Sequence, residues 1–560
     1  MDDRQMSLPG FTSRPLFLVL LFCIASMAAE SSFGAPAASA QGLALTPPMG
    51  WNDWAHYQCG FTGQTIVDNA ELLVKTGLAA RGYNTVTIDD CWMQKTRDAQ
   101  GNLQPDPQRF PNGMKLVADA VHRLGLKFGI YEDAGYETCG RFAGSGWPNG
   151  GGKDHFMQDA RLFASWGVDY LKLDGCNVYV RDASERASAY RRAYAAESAA
   201  LKSTGRPIVF SESAPAYFED VPEWYDVLAW VRHYGQLWRE SSDMANYHAK
   251  SPDRPRFKSV LWNYAYNLPL GRFQKPGNWD DPDFIIGGDS GMTLAETRSQ
   301  MALWSMMSAP LILSSDIGKL SPETIEILGN RAVIAIDQDP MGRMATLVRR
   351  SPVVDVLFKP LQDGDYAVAA LNRGEAPAEV QINPEELGFA AGANCRLDAQ
   401  NLWSGENQSS PSTLHTEVAS HDTAIWRVHP NPSCGTPART GAIILTGDRT
   451  GESIDRYTHC LATTGEVEEC SAAPAEMWTV TARGALRSGE ECLAVAEGKP
   501  VAKRCDAGKA QRWNYTLSGN LINASDRKCL SGDIATGSEQ TVSMQACGHN
   551  QAGQIWSLPN

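Results

Sequence analysis

Short apolar segments alternate with amphipathic, helix-like stretches between about Leu43 and Asp339. About eight such units in roughly 300 residues is the size and rhythm of a (β/α)8 TIM barrel. The predicted strands end at Trp54, Cys91, Asp133, Cys176, Ser213, His233, Asp283 and Asp316. Acids, aromatic residues and cysteines gather at these ends, where barrel enzymes build their sites. A doubly wound open sheet is the alternative, but no glycine-rich phosphate motif follows the first strand, so the pattern favours a closed α/β barrel.

The segment YLKLDGC, residues 170–176, combines a buried strand pattern with three chemically active side chains. Because side chains alternate along a strand, Lys172, Asp174 and Cys176 share one face and the two leucines share the other. The charges therefore collect on one side, near the end of the strand. Two interpretations stay open from this segment alone: a buried ion pair that closes a core strand, or a catalytic site.

The pattern becomes all-β from about Ala345 to Pro430, with runs such as VVDVLFK, YAVAALN and TAIWRV between turn residues. This spacing predicts a small antiparallel β-sandwich. The proline-rich stretch HPNPSCGTP that follows is typical of a linker.

The tail at residues 436–560 contains an internal repeat. The tripeptides HCL, ECL and KCL each lead to a second cysteine and then to a tryptophan, at Trp478, Trp513 and Trp556. Three copies of roughly 40 residues indicate a threefold unit with one shared core. The tail resembles a ricin-B-type β-trefoil, whose hallmark is Gln-x-Trp in each repeat, although the first copy has Glu476 in place of glutamine. The repeat supports the fold more strongly than sugar binding, so a second carbohydrate ligand on the trefoil stays an open prediction.

The first 40 residues are typical of a secretory signal peptide. Arg14 precedes an apolar run from Leu16 to Met27, and small residues follow as far as Ala40. The run is too short to cross a bilayer comfortably, which disfavours the alternative of a membrane anchor. We therefore predict a secreted protein. The expected segments are a signal peptide at 1–40, the barrel at 41–343, the sandwich at 344–430 and the trefoil at 436–560.

The net charge of the chain makes some classes of binding partner unfavourable. The chain carries a formal net charge of -14 and has a sequence pI of about 5.3. Both values argue against nucleic acid or an anionic membrane surface as a partner, because those surfaces attract cationic proteins.

The number of cysteines outside the predicted signal peptide is typical of a secreted protein. Of the 13 cysteines, Cys23 lies within the predicted signal peptide. The twelve others form six neighbouring pairs in sequence order: Cys59 and Cys91, Cys139 and Cys176, Cys395 and Cys434, Cys460 and Cys470, Cys492 and Cys505, and Cys529 and Cys547. An even number in an exported chain indicates disulfides, although the count alone leaves the pairing open. Metal sites are the alternative, but no C-x-x-C or paired-histidine spacing supports them, and we predict no metal and no cofactor.

Ordered motifs along the barrel segment carry a resemblance to a known family. They are PPMGWNDWAHYQC, TIDDCWM, FGIYEDAGYETCG, YLKLDGC, FSESAPAYF, WRESSD, WDDPDF, MALWSMMSAPLILSSD and IAIDQDPMG, in order from Pro47 to Gly342. Each motif alone is weak, whereas the ordered set is highly specific. The chain resembles the glycoside hydrolase family 27 α-galactosidases of the fungal and bacterial type that carry a C-terminal trefoil. The sandwich and the trefoil extend this resemblance over the mature chain.

The resemblance implies hydrolysis with retention through a covalent glycosyl-enzyme, which needs two carboxyl groups about 5 Å apart. By the family motifs, Asp174 in K-x-D-G-C is the nucleophile and Asp243 in W-R-x-x-x-D is the acid/base. Lys172 matches a residue that binds sugar hydroxyls, and its charge is expected to help keep Asp174 ionised. Asp243 is expected to lie in the opposite environment, one that favours its protonated form.

The resemblance also implies a set of substrate-binding residues. The predicted set is Trp54, Asp89, Asp90, Tyr131, Lys172, Glu212, Ser213, Arg239 and Asp283. The paired acids match residues that grip galactose hydroxyls, including the axial O4. Arg239 matches the residue that reaches O2, and Asp283 is expected across the pocket from the acid/base. Cys139 and Cys176 match a disulfide beside the sugar.

The loop after the fifth strand leaves the identity of the sugar open. Ser213 and Ala216 stand where the vertebrate α-galactosidase carries Glu and Leu, and where the related α-N-acetylgalactosaminidase carries Ser and Ala. The smaller pair leaves room for a 2-acetamido group. Glu212 is adjacent and would fill that space if the register shifted by one residue. Because the stretch SESAPAYF also resembles fungal trefoil-bearing α-galactosidases, galactose is the preferred sugar.

The leading hypothesis is a secreted exo-acting α-galactosidase that acts on a carbohydrate substrate. The alternatives are an α-N-acetylgalactosaminidase or a β-L-arabinopyranosidase of the same family, or a secreted lectin with an inert barrel. The presence of both Asp174 and Asp243 argues against the lectin, since an inert barrel has no need of two catalytic carboxylates.

Overall fold

The computed structural model describes most of the chain after the N-terminal segment. The described residues are 42–148, 154–219, 221, 223–244, 256–288, 291–390, 394–409, 412–447, 459–532 and 540–560. The predicted signal peptide at 1–40, with Cys23, lies outside them. Within these ranges, no helix combines the length and the apolar character needed to cross a bilayer.

Eight parallel strands form a closed sheet in the described part of the barrel segment. They are β1 (Met49–Asn52), β2 (Thr85–Thr87), β3 (Lys127–Asp133), β4 (Tyr170–Asp174), β5 (Val209–Glu212), β6 (Leu237–Arg239), β7 (Trp279–Asp281) and β8 (Leu311–Leu313). Each strand pairs with the next from β1 to β7, and β8 pairs with β1. A parallel bridge between Ile285 and Leu313 joins the segment after β7 to β8 and closes the cylinder. The predicted (β/α)8 barrel is confirmed.

Helices surround this cylinder. Those described are α1 (Trp54–Tyr57), α2 (Gly63–Lys75), α3 (Met114–Arg123), α4 (Phe156–Trp166), α5 (Arg186–Ser203), α6 (Trp224–Val231), α7 (Arg256–Asn267), α8 (Leu294–Met307), α9 (Pro322–Leu328) and α10 (Arg331–Asp337). Local sequence sets where several of them begin. Thr62 precedes α2 and Thr293 precedes α8, and each side chain accepts a hydrogen bond from an N–H of the first turn in a capping box.

One of the predicted strands is wrong. The run VLAWVRH was expected to form the sixth strand and to end at His233, but its apolar part belongs to α6, and β6 follows it. Periodicity in so short an apolar run does not distinguish a buried helix from a buried strand. Helix α6 is apolar on most sides because the trefoil covers it. The Tyr225 hydroxyl, for example, donates to the Thr446 carbonyl at 3.1 Å.

The sandwich follows the barrel directly. Its strands are β9 (Thr346–Arg350), β10 (Val354–Pro360), β11 (Tyr366–Asn372), β12 (Ala378–Ile382), β13 (Leu397–Asn401), β14 (Asn407–Gln408), β15 (Leu414–Val418) and β16 (Thr423–Pro430). Six of them form one sheet in the order β14-β13-β16-β11-β10-β9, and β12 pairs with β15. Every pairing is antiparallel. Alternate residues of these strands build a separate apolar core around Val356, Val368 and Trp426.

The C-terminal segment consists of short antiparallel strands. They are β17 (Arg439–Ala442), β18 (Ile444–Leu445), β19 (His459–Leu461), β20 (Glu466–Glu469), β21 (Met477–Val480), β22 (Leu486–Ser488), β23 (Glu491–Ala496), β24 (Lys499–Arg504), β25 (Trp513–Tyr515), β26 (Leu521–Asn523), β27 (Cys529–Gly532), β28 (Gln540–Gln545) and β29 (Trp556–Ser557). The three repeat tryptophans lie in one core. Each indole N–H donates to the carbonyl of the leucine in its own Cys-Leu motif, at 2.7, 2.9 and 3.0 Å. The repeat therefore has a structural basis, a threefold set of equivalent anchors.

The change from glutamine to Glu476 in the first repeat is also explained. In the other two repeats, Gln511 and Gln554 each accept from one backbone N–H and donate to one carbonyl. A carboxylate only accepts. Glu476 accordingly receives the N–H groups of Ser471 and Ala472 and the Ser471 hydroxyl instead. All three side chains are buried, so the hallmark residues hold the fold together.

Disulfides link all the cysteines within the described ranges. They are Cys59–Cys91, Cys139–Cys176, Cys395–Cys434, Cys460–Cys470, Cys492–Cys505 and Cys529–Cys547. Each bond joins neighbours in sequence order, which defines the pairing that the count left open. The last three bonds each close one repeat of the trefoil.

Candidate active site

Asp174 is the last residue of β4, and its carboxylate is held by three donors. Oδ1 accepts from the Gly175 N–H at 3.0 Å and from the Tyr217 hydroxyl. Oδ2 accepts from the Tyr131 hydroxyl at 3.2 Å. These donors orient the carboxylate before any ligand binds, as a nucleophile requires.

Tyr217 is missing from the set predicted by sequence. It lies in the 3-10 helix Ala214–Phe218 that follows β5, and Arg186 donates to its carbonyl at 2.5 Å. Its hydroxyl lies 3.1 Å from Cys176 Sγ as well as against Asp174. The motif FSESAPAYF contains this tyrosine. However, only the packing of the β5 turn over the end of β4 identifies its partner.

Lys172 pairs with Asp89 rather than with Asp174. Its Nζ donates to Asp89 Oδ2 at 2.8 Å. Burial by itself would lower the pKa of Lys172, but Asp89, Asp174 and Asp283 together raise it. The ammonium group therefore stays charged, and it interacts with Asp174, the predicted nucleophile, through its charge rather than through a direct hydrogen bond.

The paired acids after β2 have different partners. Asp89 also accepts from Asn52 Nδ2 at 2.8 Å. Asp90 accepts from the backbone N–H groups of Cys91 at 2.6 Å and Gly140 at 2.8 Å. Burial raises the pKa of Asp90 to about 6, although these N–H groups act to lower it. The two acids are thus fixed acceptors, as residues that read hydroxyl positions need to be.

A further buried acid, Asp133, lies beside the nucleophile at the end of β3. It accepts from the N–H groups of Gly135 at 2.6 Å and Cys176 at 3.0 Å. Burial, and then the charge of Asp174, raise the pKa of Asp133 well above its usual range. Ligand-type atoms of Asp133, Cys139, Asp174 and Cys176 lie within 4.8 Å of one another. The two sulfurs form a disulfide, so they offer a metal no thiolate and instead form a wall beside Asp174.

Asp243 follows β6, and its side chain is more exposed to solvent than that of Asp174. Its side chain is 77% exposed, and its Oδ1 lies 3.1 Å from Arg239 Nη2. The residues that the structure describes around Asp243 therefore do not form the sheltered environment expected from the sequence.

Asp243, the predicted acid/base, stands on a loop called here the acid/base loop (residues 240–244), whose backbone is held more firmly than the Asp243 side chain. Arg239 donates to the carbonyl oxygens of Ser241 at 3.1 Å and Ser242 at 3.0 Å. Asn263 on α7 accepts from Ser241 Oγ at 2.8 Å and donates to the Ser242 carbonyl at 3.1 Å. Ser242 Oγ in turn donates to Glu219 at 2.6 Å. Sequence reasoning missed Asn263 because nothing in a helical pattern marks one asparagine as a loop anchor.

Asp283 lies beside the acid/base loop, whereas the sequence comparison placed it across the pocket. Its Oδ2 accepts from the Met244 N–H at 2.6 Å, and its Oδ1 lies 3.0 Å from Arg239 Nη1. The backbone at Asp283 has a φ of 74°, in the left-handed region that aspartate tolerates better than most residues. Trp304 Nε1 holds this turn by donating to the Asp283 carbonyl at 2.9 Å.

Alternating charges connect the two predicted catalytic acids. Burial raises the pKa of Asp283, but Arg239 and Lys172 both act to lower it. Arg239 contacts Asp243, and Lys172 feels the charge of Asp174. The order of charges is therefore Asp174, Lys172, Asp283, Arg239, Asp243.

The prediction that Glu212 binds substrate is wrong. In the pairing of β4 with β5, Lys172 lies beside Ser211 and Leu173 beside Glu212. Neighbours across a parallel pair share a face of the sheet. Glu212 therefore points outward with Leu173, and its carboxyl group lies against Gly235. The pairing shows no one-residue shift of register, so Glu212 does not face the mouth of the barrel.

The other predicted pocket residues lie on turns at the same end of the barrel. Ser213 is buried directly after β5, and its Oγ has no hydrogen-bond partner among the described residues. Ala216 lies one turn later, in the 3-10 helix. Trp54 begins α1 after β1, and its N–H donates to Asn52 Oδ1 at 2.8 Å.

Comparison with known families assigns all three segments. Residues 46–339 match the family described as Alpha galactosidase A. Residues 352–428 match the Alpha galactosidase C-terminal beta sandwich domain, and residues 445–556 match the Ricin-type beta-trefoil lectin domain.

Individual proteins support the same assignment. The chain is 36% identical over 526 residues to alpha-galactosidase A of Aspergillus niger, covering 92% of both chains. It is 36% identical over 392 residues to an alpha-galactosidase of Oryza sativa subsp. japonica, covering 70% of this chain and 86% of the relative. The structure of alpha-galactosidase I from Mortierella vinacea aligns with a TM-score of 0.62 at 29% identity, over 69% of this chain and 98% of that one. The chain belongs to the alpha-galactosidase A family.

Proposed function

We propose that this protein is a secreted, retaining exo-α-galactosidase that removes terminal α-D-galactosyl residues from oligosaccharides, polysaccharides or simple galactosides. The observation that carries the proposal is the pair of unlike carboxylates at one end of the barrel. Asp174 is oriented by three donors, whereas Asp243 is exposed on a firmly anchored loop. A fixed nucleophile and an accessible proton carrier are the two parts that retaining hydrolysis needs.

The reaction takes two displacements. In the first, Asp174 attacks the anomeric carbon while protonated Asp243 gives its proton to the glycosidic oxygen. The carbon–oxygen bond breaks, and the aglycone leaves as an alcohol. In the second, the Asp243 carboxylate takes a proton from water, whose oxygen attacks the same carbon. Galactose leaves with its configuration retained, and Asp174 is again a free carboxylate.

The binding residues surround the nucleophile with fixed acceptors and charges. We assign Asp89, Asp90 and Lys172 to the sugar hydroxyls, with Lys172 and Asp89 oriented by their mutual ion pair. The partly buried Trp54 offers an aromatic face to the ring. Arg239 lies between the acid/base and Asp283, so it can bind a hydroxyl while it holds both acids.

Hydrolysis of p-nitrophenyl α-D-galactopyranoside by the purified full chain tests the proposal. The product released first, followed by NMR, is expected to be α-galactose, because double displacement retains the anomeric configuration. Release of β-galactose would contradict the assignment of Asp174 as a nucleophile. Absence of hydrolysis would leave the inert-barrel lectin as the better explanation.

A second candidate activity is the hydrolysis of α-N-acetylgalactosaminides. The observation that favours it is the outward orientation of Glu212, so that the positions compared with the two related enzymes carry the small residues Ser213 and Ala216 at the turn after β5. Small residues there leave space for a 2-acetamido group. The p-nitrophenyl α-galactoside, α-N-acetylgalactosaminide and β-L-arabinopyranoside, compared by kcat/KM in parallel, separate the candidates. The largest kcat/KM on the galactoside is expected.

Export and the trefoil ligand remain separate proposals. Multiple disulfides favour an oxidising, extracellular location. N-terminal sequencing of the secreted protein is expected to give a start near Gln41. For the trefoil, calorimetric titration of the full chain with galactose tests for a second site. A stoichiometry of one in the Asp174→Asn variant would contradict it.

A further inference from the structure

A groove opens on the outer side of the β4 end, beside the predicted catalytic residues and separate from them. Its volume is about 460 Å³, within the range of roughly 300 to 1,000 Å³ typical of small-ligand sites. Loops after β3 and β4 form two walls, and the first half of α5 forms the third. None of the predicted catalytic or substrate-binding residues lines it.

The floor of the groove is joined directly to the nucleophile strand. Ala134, which lines the groove, donates its N–H to the Asp174 carbonyl at 2.8 Å. Gly146, also in the lining, donates to the Gly135 carbonyl at 2.7 Å. A chain lying in the groove would therefore run next to the strand that carries the nucleophile, at the end of the barrel where the substrate enters.

Two exposed aromatic side chains flank this groove. Trp147 and Tyr179 are each 39% exposed. No other tryptophan, tyrosine or phenylalanine side chain among the described residues is as exposed, and both line the same groove. Exposed aromatic residues gathered in one place mark a binding surface rather than a packing accident. Their faces suit the apolar C–H face of a pyranose ring.

The charged residues of the groove are balanced. Arg181 and Arg192 contribute two positive charges, and Asp154 and Glu185 contribute two negative ones. Arg181 pairs with Glu185, and Arg192 donates to Ser188 Oγ at 3.2 Å. Such a lining has no net charge to attract an ion, but it offers both donors and acceptors. A neutral polyhydroxyl ligand fits this chemistry best.

We propose that this groove is a carbohydrate-binding site for the backbone of a neutral polysaccharide that bears α-galactosyl branches. In this arrangement Trp147 and Tyr179 stack on backbone sugars, and the charged residues bind their hydroxyls. The site raises the local concentration of branches at the catalytic pocket, since a held chain presents its side groups repeatedly. This inference rests on the proposed α-galactosidase function and assigns to the groove the backbone of its polymeric substrates.

Kinetics on two substrates test the proposal. For Trp147→Ala and Tyr179→Ala we expect kcat/KM on guar galactomannan to fall about tenfold, mainly through KM. On p-nitrophenyl α-galactoside the change is expected to stay within about twofold, because that substrate does not reach the groove. Leu116→Ala, at a 55% exposed position on α3, is the matched control and should change neither value. Equal losses on both substrates, or no loss on the polymer, would overturn the proposal.

A binding measurement separates failure of this site from failure of the proposed activity. Native electrophoresis through a gel containing galactomannan reports binding whether or not hydrolysis occurs. The trefoil contributes equally to every variant in this assay. We expect Trp147→Ala and Tyr179→Ala to migrate faster than the unaltered chain and Leu116→Ala to match it. Unchanged retardation of both aromatic variants would refute the groove even if the protein hydrolyses galactosides.

Discussion

The two proposed catalytic carboxylates, the nucleophile Asp174 and the acid/base Asp243, lie in opposite kinds of environment. Asp174 ends a strand, is half-buried and accepts three hydrogen bonds, two of them from tyrosines. Asp243 stands on a loop with its side chain 77% exposed, and hydrogen bonds from Arg239 and Asn263 hold the backbone carbonyl groups of that loop. A nucleophile must meet one carbon atom in one geometry. An acid/base must exchange protons with an alcohol and then with water, so access matters more for Asp243 than burial.

The largest expected effect separates the two carboxylates directly. Asp174→Asn should lower kcat by about 10⁴-fold or more on every substrate, because no glycosyl-enzyme forms. Asp243→Asn should cost about 10²- to 10⁴-fold on an oligosaccharide and less on p-nitrophenyl α-galactoside, whose leaving group needs little protonation. Steady-state kinetics on both substrates give the comparison. An equal loss for Asp243→Asn on the two substrates would break the division of roles.

The second effect concerns the donors to the nucleophile. Tyr217→Phe removes one hydrogen bond to a charged carboxylate, a contact worth roughly 10- to 100-fold. We expect kcat to fall by a similar factor on activated and unactivated substrates alike, since the defect lies in the attack. Tyr194→Phe is the control, because its hydroxyl donates to the Leu173 carbonyl and touches no predicted catalytic group. A dependence on the leaving group would place Tyr217 on the acid/base side instead.

A smaller effect is expected for the anchors of the acid/base loop. The hydrogen bond from Ser241 Oγ to Asn263 is lost in either Asn263→Ala or Ser241→Ala. We expect each variant to lower kcat about tenfold on an oligosaccharide and by less on p-nitrophenyl α-galactoside. Asn267→Ala, equally buried on the same helix, is the control. Thermal unfolding separates a positioning role from general damage. A loss in kcat that follows the drop in Tm, without leaving-group dependence, would reduce Asn263 to a structural role.

The smallest expected effect is on pH dependence. Burial raises the pKa of Asp90 and of Asp281 to about 6, one on each side of the site. Asp90 is assigned to the sugar hydroxyls, and Asp281, at the end of β7, accepts from the Asp283 N–H at 2.9 Å. Because both act as acceptors in the carboxylate form, kcat/KM should fall below pH 6, to roughly a quarter of its plateau at pH 5.5 if one group governs. The Asp90→Asn and Asp281→Asn variants show which side sets this limb. A profile that stays flat from pH 7 to 5 would contradict both assignments.

The raised pKa values of Asp90 and Asp281 affect the stability of the fold in the opposite direction to activity as pH changes. Each folded pKa lies above the unfolded value of 3.8, so the folded state binds protons more tightly. The contribution of these acids to stability is complete below about pH 4 and is lost as pH rises to about 6. Thermal unfolding of Asp90→Asn against the unaltered chain should therefore show the variant gaining relative stability as pH rises through this window. Activity and stability would thus change in opposite directions with pH.

Much of the fold could be predicted because strands, helices and repeats leave periodic patterns over short stretches of the sequence. Alternating strands and amphipathic helices indicated the barrel, period-two runs indicated the sandwich, and three Cys-Leu motifs with their tryptophans indicated the trefoil. The error at α6 has a physical cause. A helix covered by another domain loses its polar face, and its apolar run then resembles a strand.

The candidate site could be predicted in part. Motif order placed Asp174 at the end of the fourth strand and Asp243 after the sixth, and the structure has Asp174 as the last residue of β4 and Asp243 after β6. The orientation of Glu212 was missed because one residue decides which face of a strand a side chain takes. The sequence did not reveal the roles of Tyr217 and Asn263, because the residues they contact are distant in the chain. It did not reveal the groove beside β4, because the groove is lined by segments that are distant in the chain.

By itself, the sequence determined which elements form and which chemistry they carry, since strand period, capping residues and motif order act over a few neighbouring residues. Tertiary structure alone decided which side chains meet. The two tyrosine donors to Asp174, the contacts of Asn263 and Glu219 with the acid/base loop, and the meeting of the two exposed aromatic rings at one groove each depend on segments tens of residues apart. Such contacts follow from the closure of the barrel, which brings the ends of all eight strands to one face.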